Sequence, residues 1–316
     1  VADGVVLASG AQVSFDTSFG VFAAGRWRRV STVNQLSVEV RASGIGVVEV
    51  VAVTGNREEV VAHASLPRGE GAPTSVVLPL EPLQTSKHGT YFVRVRADGG
   101  EVCMTGGQWI TSDAPAHDVR LSLSITTFNR QEYVRKTVHN VLQLESELAA
   151  LTGRLRVFVV DNAQNVTFDA APNAPLQVVP NGNLGGAGGF ARGLMELRKQ
   201  GWATHVLFMD DDITLEPEAL VRTMALFAFA RDPKLCVHGA MLSEERPWLQ
   251  FEAGSEYSFR SIYPLQALGR EDDLRTRELA ITDAPEIPFD YTAWWYTAFP
   301  INITKDNPLP VFVRGD

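Results

Sequence analysis

Two hydrophobic rhythms divide this chain. Up to about residue 115, apolar positions come in short Val-rich runs at 36–40, 46–53, 60–64, 75–80 and 91–96. Turn-forming clusters separate them, among them Thr54-Gly55-Asn56, Pro67-Arg68-Gly69 and Ser86-Lys87-His88-Gly89. Short strands at that spacing predict an antiparallel sandwich or barrel. Asp113-Ala114-Pro115-Ala116-His117-Asp118 breaks the pattern and reads as a linker. Beyond it, strand-like runs at 119–126, 156–160, 176–179 and 204–209 alternate with helical periodicity. One helical face carries Val134, Val138, Val141 and Leu142, a second Phe190, Leu194 and Leu197, a third Leu220, Met224 and Phe227. Asn129 and Glu132 stand at capping-box spacing before the first helix. Strand–helix alternation implies a parallel sheet. The expected architecture is therefore α/β: a Rossmann-like, mostly parallel core over 116–316, preceded by an all-β domain over 1–115. Residues 241–290 read as rich in loops.

The most informative run is Thr204-His205-Val206-Leu207-Phe208-Met209, which stops in Asp210-Asp211-Asp212. Acids at the carboxyl end of a buried strand lie where open α/β sheets bind ligands. Alternation along an extended segment sends Asp210 and Asp212 to one side and Asp211 to the other. Two carboxylates on one side suit Mn²⁺ or Mg²⁺, which complete their shells with substrate phosphates. The plainer alternative is an acidic turn in which Asp212 or Thr214 caps the next helix.

Composition narrows the partners. The chain has 316 residues, 45% hydrophobic and 21% charged, with a net charge of −9. An acidic balance excludes nucleic acid or an anionic membrane surface as the main partner, and an acidic protein that handles a diphosphate needs a cation. Cys103 and Cys236 are too far apart for a metal spacing, and no signal peptide or membrane-spanning run is present, so a reducing, cytoplasmic setting is expected. At the far end, Leu309-Pro310-Val311-Phe312-Val313 reads as a strand entering a site, and Arg314-Gly315-Asp316 follows. A domain that stops one step after a core strand is expected to be a truncated one.

The glycine-rich stretch Asn181-Gly182-Asn183-Leu184-Gly185-Gly186-Ala187-Gly188-Gly189 allows two readings. Gly186 to Ala191 fits the dinucleotide fingerprint G-x-G-x-x-G/A, and Asp210 lies 24 residues after Gly186. That fingerprint needs one acid at the following strand, however, and here there are three. Close approach of backbone to a nucleotide or sugar is the other use for so many glycines.

Taken together, Thr127-Phe128-Asn129-Arg130, Asp161, the Asn183–Phe190 stretch and Phe208-Met209-Asp210-Asp211-Asp212 resemble family 2 glycosyltransferases of the GT-A fold. The likeness is closest to galactofuranosyltransferases that build actinobacterial cell-wall galactan. Trp294-Trp295-Tyr296 and Phe312-Val313-Arg314-Gly315-Asp316 add to it. So do Phe15-Asp16-Thr17-Ser18-Phe19 and Trp27-Arg28-Arg29, which resemble that family's β-rich N-terminal domain. The resemblance implies a UDP-sugar donor held by Thr127, Asn129, Arg130, Asp161, Asn183, Gly185, Gly186, Asp210 and Asp211. Arg130 would contact phosphate, and Asp161 would accept from the uracil N–H. Asp210 and Asp212 would bind the divalent ion, and Trp294 and Trp295 would stack on acceptor sugars, although two core aromatics is the plainer reading of that pair. In the resembling enzymes the base that deprotonates the acceptor is the second acid of a pair. Asp316 matches the first acid and is the only candidate at that strand end, while a further metal-binding His would lie beyond it. The expected function is inverting, metal-dependent transfer of galactofuranose from UDP-galactofuranose to a lipid-linked glycan acceptor, with peripheral membrane association through a missing C-terminal region. The alternatives are a related transferase with another nucleotide-sugar donor, a nucleotide-sugar-binding module without catalysis, and an NAD-binding oxidoreductase.

Overall fold

The computed structural model describes residues 4–66, 73–169, 173–260, 265–268, 271–283 and 289–308. The chain divides into two compact units, one of Val1–Ala114 with Asp272–Ile287, the other of Pro115–Glu271 with Pro288–Asp316. A boundary at 115 thus accounts for most of the division, but the chain returns once to the first unit.

The first unit contains β1 (Val5–Leu7), β2 (Gln12–Ser14), α1 (Ala24–Val30), β3 (Leu36–Thr54), β4 (Arg57–Ser65), β5 (Thr74–Pro79) and β6 (Thr90–Thr111). They form one antiparallel sheet in the order β1-β6-β3-β4, with β2 also on β6 and β5 also on β3. The apolar runs at 36–40 and 46–53 join into a single strand. Between them the register with β6 shifts at Arg41/Ala42 and again at Gly44/Gly46. Bulges of this kind bend a strand without ending it. Gly44 makes the bend possible: its φ is +115°, and a Cβ there would sit 2.0 Å from the Glu101 carbonyl oxygen. Val50, Val51, Ala52 and Val53 are consecutive and all buried, so both faces of the sheet are covered there. The returning segment supplies part of the cover, because Ile281 packs on Val51, Val53 and Phe92. Arg277 in the same segment donates to Asp16 at 2.7 Å and also pairs with Glu58. The Ser18 amide donates to the Leu274 carbonyl at 3.1 Å.

The second unit runs β7 (Leu121–Thr127), α2 (Gln131–Glu147), β8 (Leu155–Asp161), β9 (Leu176–Pro180), α3 (Gly185–Gln200), β10 (His205–Asp210) and α4 (Pro217–Ala228). Short strands follow: β11 (Val237–His238), β12 (Met241–Leu242), β13 (Gln250–Glu252), β14 (Ser255–Tyr257), β15 (Leu265–Ala267) and, closing the main sheet, β16 (Tyr296–Pro300). The main sheet has the order β11-β16-β10-β7-β8-β9. β10, β7, β8 and β9 are parallel, and β16 runs antiparallel to β10 and β11. Alternation along the strands makes two cores. Leu121, Leu123, Ile125, Val157, Val159, Leu207 and Met209 meet α2 and α4 through Val134, Val138, Val141, Leu220, Met224 and Phe227. Phe158, Val160, Val206 and Phe208 meet α3 through Phe190, Leu194 and Leu197.

Two expectations about helix starts fail. Arg130 is the N-cap of α2 and no side chain caps it, so the Asn129–Glu132 capping box does not form. Asn129 is instead in the left-handed region at φ 57°, which Asn tolerates better than most residues. α4 begins at Pro217 with Glu216 as N-cap, so neither Asp212 nor Thr214 caps it. Proline suits a first helical position because its missing N–H would be unpaired there anyway.

Candidate active site

The parallel strands end together. Thr127 lies opposite Asp161, Asp161 opposite Pro180, and Thr126 opposite Asp210. The chain leaves β7 towards β8 and β9 on one side, then returns to place β10 on the other. The crevice at such a switch point is where open α/β sheets take ligands. Three loops therefore converge there, after β7, β8 and β10.

The loop after β8 is organised by Asp161, which is 1% exposed. Its Oδ1 accepts the amides of Ala163 at 3.0 Å and Gln164 at 2.9 Å. Its Oδ2 accepts those of Asn165 and Val166, both at 2.7 Å. Each oxygen thus has two donors, and the carboxylate is fully used inside its own turn. The uracil contact expected of Asp161 would have to displace one of them. The residue positions the loop, and the loop positions others. Asn165 Nδ2 donates to Asn129 Oδ1 at 2.9 Å, joining this turn to the loop after β7. Asn162 donates to the Gly185 carbonyl at 3.2 Å and accepts from Asn181 Nδ2 at 2.8 Å. Asn162, Asn165 and Asn181 carry this lattice and escaped the sequence reading. Their signal was a run of amide side chains at two neighbouring strand ends, short polar groups that bond to nearby backbone.

Asn183 Oδ1 accepts the Gly185 amide at 3.2 Å, satisfying one of the unpaired N–H groups at the start of α3. Gly186 follows in that first turn. The later glycines serve packing. A Cβ on Gly189 would lie 2.1 Å from Thr126 Cγ2, and one on Gly193 would lie 2.0 Å from Ser124 Oγ. α3 therefore seats directly against β7. The glycine stretch also follows β9, the edge strand, and not the strand at the switch point. A dinucleotide fingerprint belongs on the first, central strand, so the topology opposes that reading.

The acidic run does not keep the expected alternation, because β10 ends at Asp210. Arg130 reaches Asp211 Oδ1 at 3.5 Å and makes a closer pair with Asp212, so both acids face one guanidinium. Their negative charge holds Arg130 more firmly protonated, Asp212 more than Asp211. Asp211 is buried at 5% exposure. Burial raises its carboxyl above the usual range; the nearby Thr127 hydroxyl opposes this, Asp212 adds to it, and Arg130 offsets part. Thr127 Oγ1 and Asp211 Oδ2 are nonetheless both buried without a hydrogen bond of normal geometry. Thr137 Oγ1 donates to the Asp211 carbonyl at 3.0 Å and ties the acidic turn to α2.

Trp294 and Trp295 part company. Trp294 packs edge-to-face on Phe190 with centroids 5.4 Å apart and lies 5.0 Å from Phe208, on the α3 side. Trp295 donates Nε1–H to the Gly239 carbonyl at 2.8 Å and lies 5.7 Å from the His238 ring. Both are half-buried packing residues, and the Trp295 carbonyl accepts the Asp210 amide at 3.3 Å. Asp316 lies outside the described residues.

Among the described residues, no group of three or more His, Cys, Asp or Glu gathers to hold a metal. An ion of the Mg²⁺ type needs only one or two carboxylates and takes its other ligands from phosphates and water. The unpaired Asp211 Oδ2 beside the half-exposed Asp212 fits such an ion. No helix among the described residues is long and apolar enough to cross a membrane.

Residues 117–259 match the family described as glycosyltransferase like family 2, and residues 3–129 match galactofuranosyltransferase 2 N-terminal. Galactofuranosyltransferase GlfT2 of Mycobacterium tuberculosis is 30% identical over 328 residues, covering 96% of this chain and 50% of that protein. The protein of the same name from Mycolicibacterium smegmatis is 26% identical over 332 residues, with the same two coverages. The chain thus spans about half the length of these curated relatives. A mannosyl-3-phosphoglycerate synthase structure from Rubrobacter xylanophilus overlaps 58% of this chain and 55% of its own at 16% identity and TM-score 0.36, too loosely to add to the topology. The chain carries a family 2-like glycosyltransferase domain behind a galactofuranosyltransferase N-terminal domain, and is similar in sequence to about half of each of these two relatives.

Proposed function

We propose that the chain carries the donor-handling part of an inverting, metal-dependent glycosyltransferase. It would move galactofuranose from UDP-galactofuranose to a lipid-linked cell-wall glycan, on the cytoplasmic face of the membrane. The observation that carries this reading is the convergence of the Thr127–Arg130 loop, the Asp161 turn and the Asp210–Asp212 run at one switch-point crevice. In it, Arg130 supplies a mobile positive charge for the diphosphate: half-exposed and paired with Asp212, it can turn from carboxylate to phosphate. The amide lattice of Asn129, Asn165 and Asn162 holds the loops to a fixed spacing for uridine. Asp161 serves that recognition through the turn it fixes.

The resemblance assigns Mn²⁺ or Mg²⁺ to Asp210 and Asp212; of these Asp212 stands beside the unpaired Asp211 Oδ2, which would be a further oxygen for the ion. When bound, such an ion supplies charge to the leaving diphosphate. The acceptor hydroxyl must lose a proton as it attacks, and the resemblance assigns that base to the acid pair beginning at Asp316.

Titrating UDP calorimetrically in Mn²⁺, in EDTA and against Asp212→Ala tests the donor reading. Affinity should fall in the second and third arms. Equal affinity in all three would remove the metal from the proposal, and a thermal shift with NAD but none with UDP would overturn the nucleotide-sugar assignment.

A further inference from the structure

Two short stretches of the second unit leave an unusual amount of aromatic surface uncovered. Phe251, Tyr257 and Phe259 come from one, Phe289 and Tyr291 from the other, and Phe259 is 90% exposed. The stretches are pinned together by backbone. The amides of Ser255 and Tyr291 each donate to the other's carbonyl, at 2.9 and 3.1 Å, and the Asp290 amide donates to Ser255 at 3.0 Å. Ser255 is itself buried, with its hydroxyl donating to Glu252 Oε1 at 2.7 Å. Asp290 Oδ2 accepts the Tyr257 amide at 3.0 Å, which leaves the other carboxylate oxygen without a partner among the described residues. The Tyr257 and Phe259 rings stand edge-to-face with centroids 4.7 Å apart. Together Tyr257, Phe259, Asp290 and Tyr291 line an open cleft of about 550 Å³.

Contiguous exposed apolar surface on a rigid frame marks a place where something binds. Here the lining is specific in kind: among the described residues it is three aromatic rings and one carboxylate, without a cation. Ring faces suit the C–H-rich faces of sugars, and a carboxylate accepts from their hydroxyls. A phosphate or an acidic peptide would meet repulsion from Asp290. The location agrees. Tyr291 lies four residues before Trp295, whose carbonyl holds the Asp210 amide. Four residues span at most about 14 Å, a length that a few linked sugars cover.

We infer that this cleft is an outer acceptor subsite, which grips an internal sugar of a glycan chain a few units behind its reacting end. The inference rests on the transferase reading above and adds to it a preference for longer acceptors. Tyr257 and Tyr291 stack on the sugar, Phe259 closes over it, and Asp290 accepts a hydroxyl.

The test is calorimetric titration of the 316-residue chain, with UDP present, using synthetic galactofuranosyl di- and hexasaccharides. The hexasaccharide should bind roughly tenfold more tightly than the disaccharide, the scale of one good aromatic contact. Phe259→Ala and Asp290→Asn should each remove most of that gain and leave disaccharide and UDP affinity unchanged. Phe259 is so exposed that its loss does not threaten folding. Equal affinity for the two glycans, or a length preference indifferent to both substitutions, would refute the subsite while the transferase reading stood. Failure of the parent chain to bind either UDP or the disaccharide would overturn that reading, and the subsite with it.

Discussion

Replacing Asp161 by Asn separates two jobs that a sequence reading merges. The carboxylate accepts four main-chain N–H groups, two on each oxygen, at 2.7 to 3.0 Å. Asparagine keeps one acceptor oxygen and turns the other into an NH₂ group, which faces two amides that it cannot serve. A buried donor left without a partner costs about 1–3 kcal/mol, so the substitution should remove about 2–6 kcal/mol. For a unit of this size that is a fall in Tm of roughly 5–20 °C. Thermal melts give the total, and hydrogen exchange at the amides of residues 163–166 locates it. UDP affinity should fall as well, because Asn165 holds Asn129 from this turn. A D161N protein that melts like the parent, keeps slow exchange at those amides and loses only UDP affinity would refute the structural role. It would return Asp161 to direct reading of the base.

Gly193→Ala drives a methyl to 2.0 Å from Ser124 Oγ; overpacking of about 1–3 kcal/mol, less about 1 kcal/mol of helix propensity, should lower Tm and UDP affinity together. Gly182→Ala, with nothing within 4 Å of the new carbon, is the control and should melt no lower than the parent. Arg130→Gln should lower stability by about 1 kcal/mol or more, because its pair with Asp212 is half-exposed but its other partner, Asp211, is buried, and should weaken UDP about tenfold; an unchanged UDP titration would remove Arg130 from the donor site. His205 is held neutral by burial, then by His117, with its pKa lowered from 6.5 to about 4. The unfolded chain takes up that proton first, so this stability is complete above about pH 6.5 and lost as pH falls towards 4; it amounts to about 2 kcal/mol between pH 7 and 5. Urea titrations at the two pH values should show that loss, and His205→Gln should reduce it.

What could be read in advance was whatever repeats locally. The faces Val134-Val138-Val141 and Leu220-Met224-Phe227 obey helical spacing and meet one core. The arrival of Asp161 and Asp210 at the same end of the two strands that flank β7 follows from parallel strands of similar length. Non-local facts were hidden. Nothing in Ser43-Gly44-Ile45-Gly46 distinguishes a turn from a bend, since glycine permits both, and the partner strand decided it. Asn129 carries a capping signature that its left-handed backbone puts to another use. Asp161 looks like any acid at a strand end until the four amides of the following turn are located. The acidic run departs from strict alternation because the strand closes at its first member, which charge pairing with Arg130 accompanies and sequence spacing does not encode.

The return of residues 272–283 to the first unit bears on how this protein can be taken apart. The chain crosses between its units at the 113–118 stretch and again on either side of the returning segment. A protease cut at Pro115 would therefore not free two bodies, because Ile281 would stay lodged on Val51, Val53 and Phe92, with Arg277 on Asp16. Expressing 116–316 alone would produce a transferase domain trailing an unpaired apolar peg, and expressing 1–115 alone a sheet with that socket open. Both fragments should aggregate or bind each other. Mixing the two and recovering a soluble pair is accordingly the practical route to labelling either unit by itself.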